Sequence, residues 1–133
     1  MTSTHTLELL HREHLGWQKE LLFYQDEIHI FQNKLLQIIL NHLQEVNMEK
    51  ISRYRQEFGQ NLLLIADFIH QIKNHEKQLA QDARYQKNGT DHTFFRQEIE
   101  EFKQAFGELR QNFKRFLAKS KGLVKEKILR RKR

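Results

Sequence analysis

Histidines and carboxylates three residues apart are the first chemistry this sequence offers. Glu8 with His11, and Asp67 with His70, have the spacing by which di-metal helical bundles aim a carboxylate and an imidazole inward at an ion. Folding the chain back at its two turn regions also brings Asp26, Glu27 and His29 to the level of Asp67 and His70, with Glu108 nearby. The level suits a metal, but the face does not. His29 and His70 fall one residue past the apolar seam and Asp67 lies opposite it, so these groups are expected in solvent. A second Glu and His pair from a facing helix is also missing. No metal and no other cofactor is therefore expected, and a metal-binding carboxylate and histidine bundle ranks third among the functional readings.

A second set of polar groups lies inside the apolar seams: His14, His42, Arg55 and Glu76. Glu76 falls near the level of Trp17 and Phe102, within reach of the indole N–H or of His14. Buried groups of this kind need partners, because an unpaired one costs about 1–3 kcal/mol or more. One function for them is a general acid or a histidine-based pH switch. The structural alternative, which the pattern favours, is that they fix helix register as polar core residues do in coiled coils.

The third feature is a charge asymmetry. The chain carries a net +6, yet Lys114 to Arg133 holds ten basic residues against Glu126 alone, a local +9 that leaves the remainder at −3. Lys119, Lys121, Lys125, Lys127, Arg130, Arg131, Lys132 and Arg133 are the candidates for meeting an anionic partner, either nucleic acid or an anionic membrane surface. Leu117, Val124 and Ile128 add an apolar side to that segment. No DNA-binding motif accompanies it, and the aromatic residues belong to the seam instead of lying between the basic ones. Basic residues at a helix C-terminus also suit its dipole.

Other chemistries are excluded by what is absent. With no cysteine there is no disulfide, thiolate nucleophile or thiolate metal site. No glycine loop suits phosphate, and Ser3, Ser52 and Ser120 have no positioned triad. Enzyme activity and a small-molecule substrate are not expected.

The elements that must position these groups are long helices. Leu7, Leu10, Trp17, Leu21, Tyr24, Ile28, Phe31, Leu35 and Ile38 recur three and four apart, which places them on one helical face. Helix 1 is predicted over about 6–46, with Thr4 or Thr6 as its cap. Helix 2 is predicted over about 48–87, with a seam of Met48, Ile51, Arg55, Phe58, Leu62, Ile65, Ile69, Ile72, Glu76, Leu79 and Ala83 that Phe68 widens. Asn88-Gly89 marks the turn that ends it. Helix 3 is predicted over about 92–120, capped by Asp91 or Thr93, with the basic tail 121–133 as its extension. Its seam reads Phe95, Ile99, Phe102, Phe106, Leu109, Phe113 and Phe116.

No proline breaks these segments, and short connections force neighbouring helices to run antiparallel. The expected fold is all-α: one domain, an elongated antiparallel (up-down-up) three-helix bundle with coiled-coil-like heptad seams. A four-helix arrangement, from a break near Gly16 or from two paired chains, competes with it. Leu22, Phe23, Ile30, Leu36, Ile39, Leu40, Leu63, Leu64 and Phe94 lie outside the seams and supply a second interface. The longest apolar runs, such as Leu62 to Ala66, fall well short of the roughly 20 residues of a membrane span. The polar start from Met1 to Thr6 lacks the pattern of a secretory signal, so a cytoplasmic address is expected.

Two stretches, LLFYQDEIHIFQNKL at Leu21 to Leu35 and DHTFFRQEIEEFKQAFGELRQNFKRFLAKS at Asp91 to Ser120, carry a resemblance. The chain resembles an uncharacterised group of short, all-helical, cytoplasmic bacterial proteins with no assigned activity. The resemblance implies a helical fold and transfers no functional residue. The leading expectation is a non-enzymatic interaction or scaffolding module whose partner is another helical protein or a second copy of the chain.

Overall fold

The structure, a computed structural model, describes the backbone of residues 2–41, 47–84 and 92–131 and the side chains of 6–41, 47–84 and 92–120. The described residues form three helices, α1 (Thr2–Asn41), α2 (Met48–Arg84) and α3 (Thr93–Arg131), and no strand. Their mutual contacts fit a helical bundle. None of them is long and apolar enough to cross a membrane.

Local chemistry explains the helix starts. The side-chain oxygen of Asn47 accepts from the backbone N–H of Glu49 at 3.1 Å and of Lys50 at 3.2 Å, so the residue between the first two predicted helices caps α2. Glu49 in the first turn and Arg84 in the last suit the α2 dipole. At α3, the His92 carbonyl accepts from the Arg96 N–H at 2.7 Å, which puts His92 just before the first helical residue. Thr93 lies inside α3 and Thr4 and Thr6 lie inside α1, so none of the three holds the capping position expected of it. Asp91 and the Asn88-Gly89 turn lie outside the described residues. Gly16 does not break α1, which removes that route to four helices.

The core is a set of rows seven residues apart. On α1, Leu7, His14, Leu21, Ile28 and Leu35 are buried; on α3, Ile99, Phe106 and Phe113 are, and His92, just before that helix, continues their row. On α2, Ile51, Phe58, Ile65, Ile72 and Leu79 are buried as expected. In the row Met48, Arg55, Leu62, Ile69, Glu76 and Ala83, Leu62 and Ile69 pack against the core and Glu76 is partly buried, while Met48, Arg55 and Ala83 are exposed. A further row, Tyr54, Asn61, Phe68, His75 and Asp82, also faces inward, all of it at least half-buried.

Aromatic rings fill one end. Phe31, Tyr54, Phe58, Phe113 and Phe116 meet at centroid distances such as 5.1 Å for Phe31 and Phe113 and 5.0 Å for Phe58 and Phe113. Further along, Tyr24 meets Phe106 at 4.7 Å and Trp17 meets Phe95 edge-on at 5.4 Å. Each such side chain, fully buried, contributes about 1.5–3 kcal/mol. A smaller cluster of Leu7, Leu10 and Leu79 is separate from this core.

Ion pairs join α1 to α3 at a constant offset. Arg96 forks onto Glu13 at 2.6 and 2.8 Å, Lys103 reaches Glu20 at 2.8 Å, and Arg110 forks onto Glu27 at 3.0 and 2.5 Å. The acids are seven apart on one helix and the cations seven apart on the other. The Arg110 guanidinium also lies over the rings of Phe106 and Tyr24, 5.0 and 5.5 Å from their centroids.

Candidate functional site

Three imidazoles, one from each helix region, lie between the two apolar clusters. His14 is fully buried on α1, between Leu10 and Trp17 in sequence. Its Nδ1–H donates to Glu76 Oε1 at 2.5 Å, and His11 Nδ1–H donates to the other oxygen, Oε2, at 2.8 Å. An ionised carboxylate only accepts, so the bond fixes the His14 proton on Nδ1 and leaves the Nε2 lone pair open. That Nε2 is buried and has no hydrogen-bond partner among the described residues, and neither has His75 Nδ1. His92 is buried at the start of α3. The rings of His75 and His92 stack at 4.5 Å, those of His14 and His92 lie 4.7 Å apart, and those of His14 and His75 lie 5.8 Å apart. One donor atom from each falls within 4.8 Å of the others.

Burial works against the charged forms of His14 and His75. Burial lowers the His14 pKa, against the opposing pull of the Glu76 carboxylate, and burial followed by the neighbouring His92 lowers that of His75. Trp17 at 5.8 Å from His14 and Phe95 at 4.5 Å from His75 wall the layer with apolar rings. Neutral imidazoles with converging lone pairs can accept protons or ligate a cation.

Of the polar seam residues read from sequence, the structure brings His14 and Glu76 together. Arg55 is exposed, which corrects the expectation of a buried arginine: Met48, Arg55 and Ala83 are the exposed members of a row whose Leu62, Ile69 and Glu76 are partly buried. His42 lies outside the described residues. The carboxylate and histidine pairs do not assemble a site. Glu8 pairs with Arg12 at 2.9 Å, Asp67 accepts from Gln71 at 2.6 Å, and Asp26, His29, His70 and Glu108 are exposed. Glu27 is mostly buried against Arg110. His75 and His92 escaped the sequence reading. Their signal was positional, since His92 precedes Ile99, Phe106 and Phe113 by sevens and His75 follows Phe68 by seven.

Two surfaces complete the picture. Leu15, Leu22 and Leu36, with Phe23 and Ile30, stay about half exposed on α1, as does Leu64 on α2, where Leu63 is exposed further still. A cleft between α2 and α3 is edged by Lys50, Arg53, Arg115 and Lys119, with Glu57 and Glu108 opposing them. No ion pair among the described residues engages those four cations. Lys119 is exposed, and α3 continues as helix through Lys121, Lys125, Lys127, Arg130 and Arg131; Lys132 and Arg133 lie outside the described residues.

No family model, no curated protein and no solved structure matches this chain.

Proposed function

We propose that this chain is a non-enzymatic, cytoplasmic helical interaction module, an up-down-up three-helix bundle with coiled-coil-like seams that pairs with a second copy of itself through the outer face of α1. The ring contacts support the topology: rising positions on α1 (Trp17, Tyr24, Phe31) meet rising positions on α3 (Phe95, Phe106, Phe113), while Phe58 of α2 meets Phe31 and His75 meets His14. The observation that carries the pairing is the half-exposed apolar side of α1. Leu15, Leu22 and Leu36 fall on a single seven-residue row, interrupted by His29, and Phe23 and Ile30 fall on the next. A partner must present the same period to cover such a row, and a two-fold axis lets one surface supply both halves. Light scattering on the purified chain is expected to give a dimer at low and high salt alike. The double variant Leu22→Glu, Phe23→Glu, on exposed positions, is expected to be a helical monomer; a wild-type monomer at micromolar concentration sinks the reading.

A second reading rests on the four cations of the α2 and α3 cleft and the basic continuation of α3, which suit an anionic partner. It predicts binding to duplex nucleic acid or to anionic vesicles that weakens linearly with the logarithm of salt concentration. Lys50→Glu with Arg115→Glu is expected to abolish that binding, and binding indifferent to salt would count against it.

A further inference from the structure

We propose that His14, His75 and His92 are the protein ligands of a zinc-class transition-metal ion, held where α1, the end of α2 and the start of α3 meet. The donor atoms already converge, one from each imidazole within 4.8 Å of the others. Zinc–nitrogen bonds of about 2.0–2.1 Å ask the rings to close by an ångström or so, a movement within the range of side-chain torsions. All-imidazole donation selects zinc, nickel, cobalt or copper over magnesium and calcium, which take oxygen.

Three further observations bear on the same point. Glu76 fixes the His14 proton on Nδ1 and so presents Nε2, the arrangement in which a carboxylate orients a histidine for a metal. His11 anchors the second Glu76 oxygen, which steadies that orientation. His14 Nε2 and His75 Nδ1 are buried in a layer walled by Trp17 and Phe95. A lone pair in such a layer gains nothing from solvent and much from a cation.

With three protein nitrogens, a tetrahedral ion retains one position for water or an outside ligand. The ion also ties together the three helix regions at one end of the bundle, between the Leu7, Leu10 and Leu79 cluster and the main core. It is independent of the pairing through α1, because none of its ligands lies among the exposed apolar residues of that face.

The test uses the full chain, stripped with a chelator and titrated at neutral pH with Zn2+ by calorimetry and with Co2+ by visible absorption. The expected result is one ion per chain, with ligand-field bands from Co2+ that Zn2+ displaces. His75→Gln and His92→Gln are each expected to weaken binding by at least about 100-fold with helicity retained, and Glu76→Gln, which keeps all three ligands, by about 10- to 100-fold. The exposed pair His29→Gln, His70→Gln is expected to bind as the wild type does. Zinc-edge X-ray absorption on the wild-type chain decides the matter even where a variant fails to fold, with three imidazole ligands expected. No saturable binding, binding indifferent to His75 and His92, or a zinc shell of fewer than two imidazoles overturns the proposal.

Discussion

At the residue scale, the buried imidazoles set a pH dependence whose sign follows from their lowered pKa values. His14 and His75 titrate below the ordinary histidine value of 6.5, so the unfolded chain binds more protons than the folded one as pH falls past that value. Their contribution to stability is complete above about pH 6.5 and is lost as pH drops through it toward the lowered folded values. Urea midpoints of the metal-free chain are expected to fall between pH 7.5 and pH 5, and His75→Leu is expected to flatten that change. The groups around His14 are Glu76, Glu13, His75 and His92, with His11 on the same Glu76 carboxylate, and His92 also adjoins His75. Glu76→Ala leaves the His14 Nδ1–H buried without its acceptor and is expected to cost about 1–3 kcal/mol at neutral pH, read by chemical denaturation. The bond between His14 and Glu76 was legible because both residues occupy the expected seams at matching levels. The rest of the site was not. Polar residues in a row of otherwise apolar positions look like interruptions when the pattern is scored by hydrophobicity, and His75 sits in a row that also holds Asn61 and Asp82.

At the element scale, α2 buries a stripe wider than one seam. Leu62 and Ile69 pack against the core as their spacing predicts, and large rings at Tyr54 and Phe68 add a second row that packs against Phe113, Phe116, Phe95 and Phe102. Ring volume brings Tyr54 inward, which hydropathy alone does not. The helix boundaries tell a similar story. Asn47 is indifferent in propensity, yet as a cap it satisfies two backbone donors; Asn47→Ala is expected to cost about 1 kcal/mol in thermal or chemical unfolding. Gly107 lies within α3 with open space where a Cβ would stand. Gly107→Ala is therefore expected to raise stability by about 0.5–1 kcal/mol, measurable as a higher urea midpoint. The ion pairs between α1 and α3 differ in shielding, with Arg110 and Glu27 the best covered at 24% and 17% exposure. Removing one exposed partner costs little, about 0–1 kcal/mol, so Glu20→Gln is expected to be nearly silent and Glu27→Gln to cost more.

For the whole molecule, the all-helical class and the number of helices among the described residues were readable from spacing alone, since no proline and few glycines interrupt a continuous three and four repeat. The ion-pair offset between α1 and α3 was not, because it depends on how two helices distant in sequence come into register. Phe113 sits at the centre of the aromatic end, fully buried and in contact with Phe31, Tyr54, Phe58 and Phe116. Phe113→Ala is expected to cost about 3–5 kcal/mol, the largest loss among single core substitutions named here, and to show as a lowered melting temperature. The bundle thus changes in kind along its length, from an aromatic end through a layer of imidazole to the small cluster of Leu7, Leu10 and Leu79. Trp17, the sole tryptophan, stands on the boundary, its ring 5.8 Å from His14 and 5.4 Å from Phe95. Indole emission responds to nearby charge, so the chain carries an intrinsic optical gauge at that boundary. A fluorescence trace reports the imidazole layer, while circular dichroism averages all three helices, and any gap between the two curves measures how far that layer opens before the rest.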